Sequence, residues 1–230
     1  MSITNSINCS SCKVGSCAIY SLTSSELGDM ESATCQASYS KGELLRKQGS
    51  PLNSVIYLRS GYVKEYMWHE SIADQVIQLI KPQSYIGLQG LCTDSSSVFS
   101  YQAITDIDVC FIEKEQFGKI IRNNGNFARE ILIALSKETV SNHQRFLSLN
   151  QTQTYGKVAG LIIYLSEEVY ENNTFELQLK RTELAQMIAS TRESVTRALK
   201  WFHGEGIIHM LKNTISIRHK DRLSEIAKRG

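Results

Sequence analysis

Of the 230 residues of the chain, the block from Thr182 to Ile217 constrains the fold most. Glu183-Leu-Ala-Gln-Met-Ile188 and Arg192-Glu-Ser-Val-Thr-Arg-Ala-Leu-Lys-Trp-Phe202 have helical patterning, and Ala189-Ser190-Thr191 separates them. Thr182 is a suitable N-cap for the first helix, and Ser190 or Thr191 for the second. Leu184, Ala185, Ile188, Val195 and Leu199 supply the small and branched side chains by which two crossed helices pack. His203-Gly204-Glu205-Gly206 should stop the second helix at glycine. Ile207–Leu211, the turn Lys212-Asn213 and Thr214–Ile217 then alternate as a hairpin. The block predicts a helix-turn-helix followed by a wing.

On the second helix Glu193, Thr196, Arg197 and Lys200 stand at i, i+3, i+4 and i+7, so they share one face, with Arg192 at its N-terminal lip. A charged face is usually just solvated, but here the opposite face belongs to a helix-turn-helix, whose second helix enters a DNA major groove. There Arg can pair with guanine O6 and N7, and Glu can accept from cytosine N4. Lys200, Lys212 and Thr182 are candidates for phosphate contact, which positions without specifying. The charge agrees: residues 180–230 hold 11 Lys and Arg against 5 Asp and Glu, while residues 1–150 hold 13 against 14.

Upstream, short β-rich runs punctuated by Gly42, Gly49, Gly61, Gly87 and Gly90 predict an antiparallel roll over about Cys35 to Lys114. From Phe127 to Leu149 neither Gly nor Pro interrupts, which predicts one long helix. Ile131, Leu135, Thr139, Asn142, Phe146 and Leu149 lie along it. That stripe is either a spine against the roll or a weak two-fold seam between two copies. The expected class is α+β. A cysteine-rich segment (1–20) precedes a β-roll sensor domain (21–126), a dimerisation helix (127–149) and a winged helix-turn-helix domain (150–230). No stretch is long and apolar enough for a membrane helix, and the first residues lack a secretory pattern, so a cytoplasmic protein is expected.

Thr191-Arg-Glu-Ser-Val-Thr-Arg197 followed by Gly204-Glu-Gly-Ile-Ile208 resembles the winged helix of the cyclic-AMP-receptor-protein/FNR (CRP/FNR) regulators. Lys41-Gly-Glu43, Gly49, Tyr57-Leu-Arg-Ser-Gly61 and Tyr85-Ile-Gly87 extend the resemblance over nearly the whole chain. It implies a homodimeric transcriptional regulator that binds palindromic double-stranded DNA and works with RNA polymerase. Glu193 and Arg197 would fall at base-reading positions for a half-site with a TGA core. Arg192 matches the extra guanine-reading Arg of the cyclic-AMP receptor, and Thr196 stands where FNR has a small hydroxyl residue. The family's nucleotide receptors use a Gly-Glu after an Ile and an Arg-Ser further on. Here Leu88 replaces the acid, Val98-Phe99 replace Arg-Ser, and no Lys or Arg occurs between Lys81 and Lys114. A buried cyclic phosphate needs that cation, so cyclic AMP is not expected.

Cys9-x2-Cys12-x4-Cys17 is a tight thiolate cluster, and Cys110 lies far downstream on a β-run. Four thiolates suit a [4Fe–4S] cube, and the resemblance to FNR-type oxygen sensors implies these four as ligands of an air-labile cluster. The last N-terminal gap is one residue shorter than in FNR, and Lys13 and Ser16 flank the ligands. The same thiolates suit tetrahedral zinc, or the N-terminal trio could form a thiol-disulfide switch. Cys35 and Cys92 are expected to be buried small apolar residues. The resemblance implies that cluster-bound cysteines anchor the N-terminal loop to Cys110 and bias pairing across the seam near Thr139 and Asn142. Haem, with His69 or a Cys as axial ligand, and nitric oxide are alternative effectors. No Gly-x-Ser-x-Gly, His-Glu-x-x-His or phosphate loop is present, so no catalysis is expected. His203, His209 and His219 would add polarity to the DNA-binding face.

Overall fold

The computed structural model describes residues 2–4, 18–70, 72–91 and 96–229. They divide into two compact units, residues 1–68 with 79–139 and residues 69–78 with 140–230.

In the first unit, α1 (Ser24–Ser32) opens with Thr23, whose hydroxyl accepts from the Glu26 amide while the Glu26 carboxylate accepts from the Thr23 amide. This capping box pushes the Glu26 carboxyl below its usual range, chiefly through the Thr23 amide. The strands follow, β5 ending and β6 mostly lying in residues 69–78 of the second unit: β1 (Ser2–Thr4), β2 (Thr34–Tyr39), β3 (Leu44–Arg46), β4 (Ser54–Ser60), β5 (Val63–His69), β6 (Ile72–Ile80), β7 (Ser84–Ile86), β8 (Ser100–Ala103) and β9 (Ile107–Glu113). They form one sheet ordered β1-β2-β9-β4-β7 and another ordered β3-β8-β5-β6. This is the expected antiparallel roll. The hairpin at Gly61 needs glycine, because φ is +76° and a Cβ would meet the Asp106 carbonyl at 2.3 Å.

Successive side chains of a strand face opposite ways, and here both faces of β4 and β9 are covered. Ile56, Leu58, Ile107 and Val109 join the core between the sheets, with Tyr101 and Val63. Val55, Tyr57, Cys110 and Ile112 join a second core with Met30, α2 (Lys114–Asn123) and the start of α3 (Gly125–Gln151). Double burial explains the near-continuous apolar run Val55–Leu58. Asp108 links the strands at the sheet's end, accepting from Ser38 Oγ at 2.6 Å and Ser60 Oγ at 2.9 Å.

The long helix α3 runs 27 residues, further at both ends than the sequence indicates, so the polar link shrinks to Thr152-Gln153. The stripe is also corrected. Ile131 is buried in the first unit's core and Leu135 packs against it. The large apolar side chains left exposed on α3 are Leu132, Val140, Phe146 and Leu147.

The second unit contains α4 (Thr154–Tyr164), β10 (Thr174–Glu176), α5 (Arg181–Met187), α6 (Arg192–Gly204), β11 (Ile208–Leu211), β12 (Thr214–Ile217) and α7 (Lys220–Arg229). The wing is three-stranded, ordered β10-β12-β11. The run Phe175–Leu179 forms a strand only at its start, and Leu177 and Leu179 are buried beyond it.

Candidate functional site

The first helix of the motif starts two residues earlier than expected. Lys180, not Thr182, is its N-cap, and the Lys180 amide donates to Glu183 Oε2 at 2.8 Å. Glu183 thereby supplies the first-turn carboxylate that helix N-termini favour. Thr182 is exposed. In the following turn Ala189 takes φ +47°. Thr191 then caps α6, its hydroxyl accepting from the Ser194 amide at 3.1 Å.

Val195, Ala198, Leu199 and Phe202 on α6 are buried. The opposite face shows Arg192, Glu193, Arg197 and Lys200 exposed. Thr196 is half-buried and its hydroxyl donates to the Arg192 carbonyl at 2.7 Å. None of Arg192, Arg197, Lys200 and Lys212 pairs with a described carboxylate. The helix passes through Gly204, and the left-handed residue after it is Gly206, at φ +69°. The His203 Nδ1 accepts from the Met210 amide at 3.3 Å, tying the end of α6 to the wing. Lys212, exposed at φ +54°, makes the wing's tip. The exposed face of α6 and the tip of the wing therefore carry a capped helix end, four cations unpaired with any described carboxylate, and one carboxylate. That is a surface able to neutralise phosphates and read base edges.

The sensor side is described in part. Cys9, Cys12, Cys17 and Cys92 lie outside the described residues. Cys110 is buried in β9, paired with Gln36 on one side and Tyr57 on the other. The same core takes in Ala18, the residue after Cys17 in the sequence. Cys35 is half-exposed rather than buried. It pairs with Phe111, whose side chain joins the other core, so strand alternation turns Cys35 away from Cys110. Among the described residues no three His, Cys, Asp or Glu side chains come together as a metal site.

Where the nucleotide receptors need an acid, Leu88 is buried against Cys110's core, and Gln89 Nε2 donates to Glu138 Oε1 on α3 at 3.0 Å. Phe99 is packed into the inter-sheet core. Sequence reasoning missed Arg46, a buried cation on β3. Its guanidinium donates to the Ser54 carbonyl at 2.7 Å and to Ser54 Oγ at 3.0 Å, and burial lowers its pKa. It runs beside Gly87, where a Cβ would stand 2.7 Å from Arg46 Nη1. A single Arg after a leucine pair carries no sequence signal of burial.

Residues 36–124 match the cyclic nucleotide-binding domain family, and residues 156–226 match the Crp-like helix-turn-helix domain. Together these matches span well over half the chain, in the order that the roll and winged helix occupy. The chain belongs to the CRP/FNR family. Relatives include "Transcriptional activator protein anr" of Pseudomonas aeruginosa, 27% identical over 73% of this chain and 70% of that protein. "Electron transport regulator A" of Shewanella oneidensis is 25% identical over 96% of this chain and 90% of its own. The fold matches FixK2 from Bradyrhizobium japonicum with a TM-score of 0.77, at 21% identity, covering 84% of this chain and 96% of that one. As a CRP/FNR member the chain is a DNA-binding transcriptional regulator and not an enzyme. No helix among the described residues is long and apolar enough to cross a membrane.

Proposed function

We propose that the chain is a cytoplasmic, homodimeric regulator that binds palindromic DNA through α6 and is controlled by a [4Fe–4S] cluster on Cys9, Cys12, Cys17 and Cys110. The observation that carries the DNA reading is the exposed face of α6, with Glu193 and Arg197 one turn apart and Arg192, Arg197 and Lys200 unpaired with any described carboxylate. Arg197 and Glu193 read a TGA-containing half-site, Arg192 adds a guanine contact, and Thr196 presents its methyl group because its hydroxyl is engaged. Lys200, Lys212 and Thr182 hold phosphates. RNA polymerase is the further partner.

The sensor reading is supported by the shared core of Cys110 and Ala18, which brings the chain next to Cys17 to the strand that bears the fourth thiol. Four thiolates fit the cube's donor preference. When bound, the group supplies a redox-labile link between the N-terminal segment and β9. Names such as "Anaerobic regulatory protein", carried by a Haemophilus influenzae relative at 24% identity, point the same way. The Cys110 core also holds Phe127 and Ile131 of α3, so packing at the thiol reaches the helix that we assign to dimerisation. The seam on α3 is Leu132, Ser136, Thr139, His143 and Phe146, all exposed and spaced four, three, four and three residues apart. Asn142 and Leu149 flank it, both half-buried.

Strictly anaerobic purification with iron, acid-labile sulfide and zinc counted per chain tests the sensor. About four iron and four sulfide, lost in air together with dimerisation, are expected. Stoichiometric zinc, or full iron retention in Cys110→Ser, would overturn the ligand assignment. Band shifts on a TGA-containing palindrome test the DNA half separately.

A further inference from the structure

A cleft of about 570 Å³ opens within the second unit, inside the ~300–1,000 Å³ range of small-molecule sites. Its body is apolar, formed by Val76, Ile77, Leu161, Ile163 and Met187. Two cations line it as well, Arg145 from α3 and Lys157 from α4. The Arg145 guanidinium lies over the Tyr164 ring at 4.5 Å and donates to Asn142 Oδ1 at 2.6 Å. Neither cation is paired with a described carboxylate. The acids of the same cleft are already engaged: Glu167 pairs with Lys220 at 2.7 Å, and Glu168 accepts from the Ser141 hydroxyl. An apolar body with two uncompensated cations and no uncommitted acid is complementary to a small amphipathic monocarboxylate. We propose that this cleft binds such an acid, its hydrocarbon part against the apolar walls and its carboxylate on Arg145 and Lys157.

The placement would give binding a consequence. Met187 and Ile188 line the cleft and lead directly into Ala189 and the cap of α6. The Gln186 carbonyl, one residue earlier, accepts from Gln75 Nε2 of the β6 segment, which also lines the cleft. An occupant therefore touches the end of the first motif helix and the strand segment braced on it, and would couple to DNA affinity by differential contact. No cysteine takes part, so the outcome is independent of the cluster assignment.

Isothermal titration of the full chain with sodium decanoate below its micelle concentration tests the site, with 1-decanol as the uncharged control. We expect saturable binding of one decanoate per chain, weakened about tenfold or more for 1-decanol and in Arg145→Met/Lys157→Met. Absence of saturable heat, equal affinity for the alcohol, or an unaffected folded double variant would each overturn the proposal. If the double variant does not fold by circular dichroism, the acid–alcohol comparison on the native chain decides alone. Should a second copy of the chain fill the cleft instead, decanoate would fail to bind the dimer, which equally overturns it.

Discussion

Ala189 shows how a single residue can be strained for the sake of a turn. At φ +47° its Cβ crowds the backbone by about 1–2 kcal/mol, a strain that glycine avoids. Ala189→Gly should raise stability by about 0.5–1 kcal/mol in urea melts, and Ala189→Val should lower it by more. On α6 the two kinds of cation should separate in binding assays. Arg197→Ala should cost about 1–3 kcal/mol on the specific site and relax specificity, whereas Lys200→Ala should weaken all sequences alike and reduce the salt slope by about one. Asp108 is held below the ordinary aspartate value of 3.8, first by the Ser38 hydroxyl, against the opposing effect of burial, with the Ser60 hydroxyl and the Arg59 charge adding to the lowering. Its folded pKa being the lower, its contribution is present above about pH 4 and is lost as pH falls through the folded value. Asp108→Asn should therefore be less stable at neutral pH and flatter in its acid limb, read by melts from pH 7 to pH 2.5. The caps show the limit of sequence reasoning at this scale. Thr182 has the better capping side chain, but Glu183 reaches back to the Lys180 amide and starts the helix earlier. Gly204 and Gly206 are equally good stops on paper, and only Gly206 takes the left-handed turn.

Among the elements, the strands and the helix-turn-helix were legible because their signals are local: alternation, glycine punctuation, and a capped apolar face. The long helix was legible as a helix, but not as to which of its stripes faces inward. Ile131 and Leu135 step by four as a seam would, and the structure spends them on the chain's own core, leaving the Leu132–Phe146 face outward. Ile131→Ala should thus cost about 2–5 kcal/mol of folding stability. Leu132→Glu with Phe146→Glu should leave the fold intact and shift sedimentation toward monomer. Loss of dimer in Ile131→Ala without loss of stability would reverse this assignment of faces. Three helices escaped sequence reasoning for identifiable reasons. α1 and α2 each contain a glycine, Gly28 and Gly118, that dilutes the helical signal. α7 carries Leu223 as its one fully buried side chain among charged neighbours.

At the scale of the molecule, the order of roll, long helix and winged helix could be read in the sequence, whereas the division of the chain could not. Residues 69–78 belong with the C-terminal unit, a long-range association that no local pattern announces. Leu88 inside the Cys110 core and Gln89 bonded to Glu138 are likewise tertiary facts. They put apolar packing and a neutral amide where a nucleotide receptor holds its ligand. β9 has a mechanical consequence for any signal that begins at Cys110. Flanked by β2 and β4 and pressed by a core on each face, it belongs with the segments whose amides exchange last with solvent. It is a stiff post in the first unit. A tether made fast to such a post cannot make the post yield, so when it tightens or slackens the compliance falls on whatever is tied to the other end.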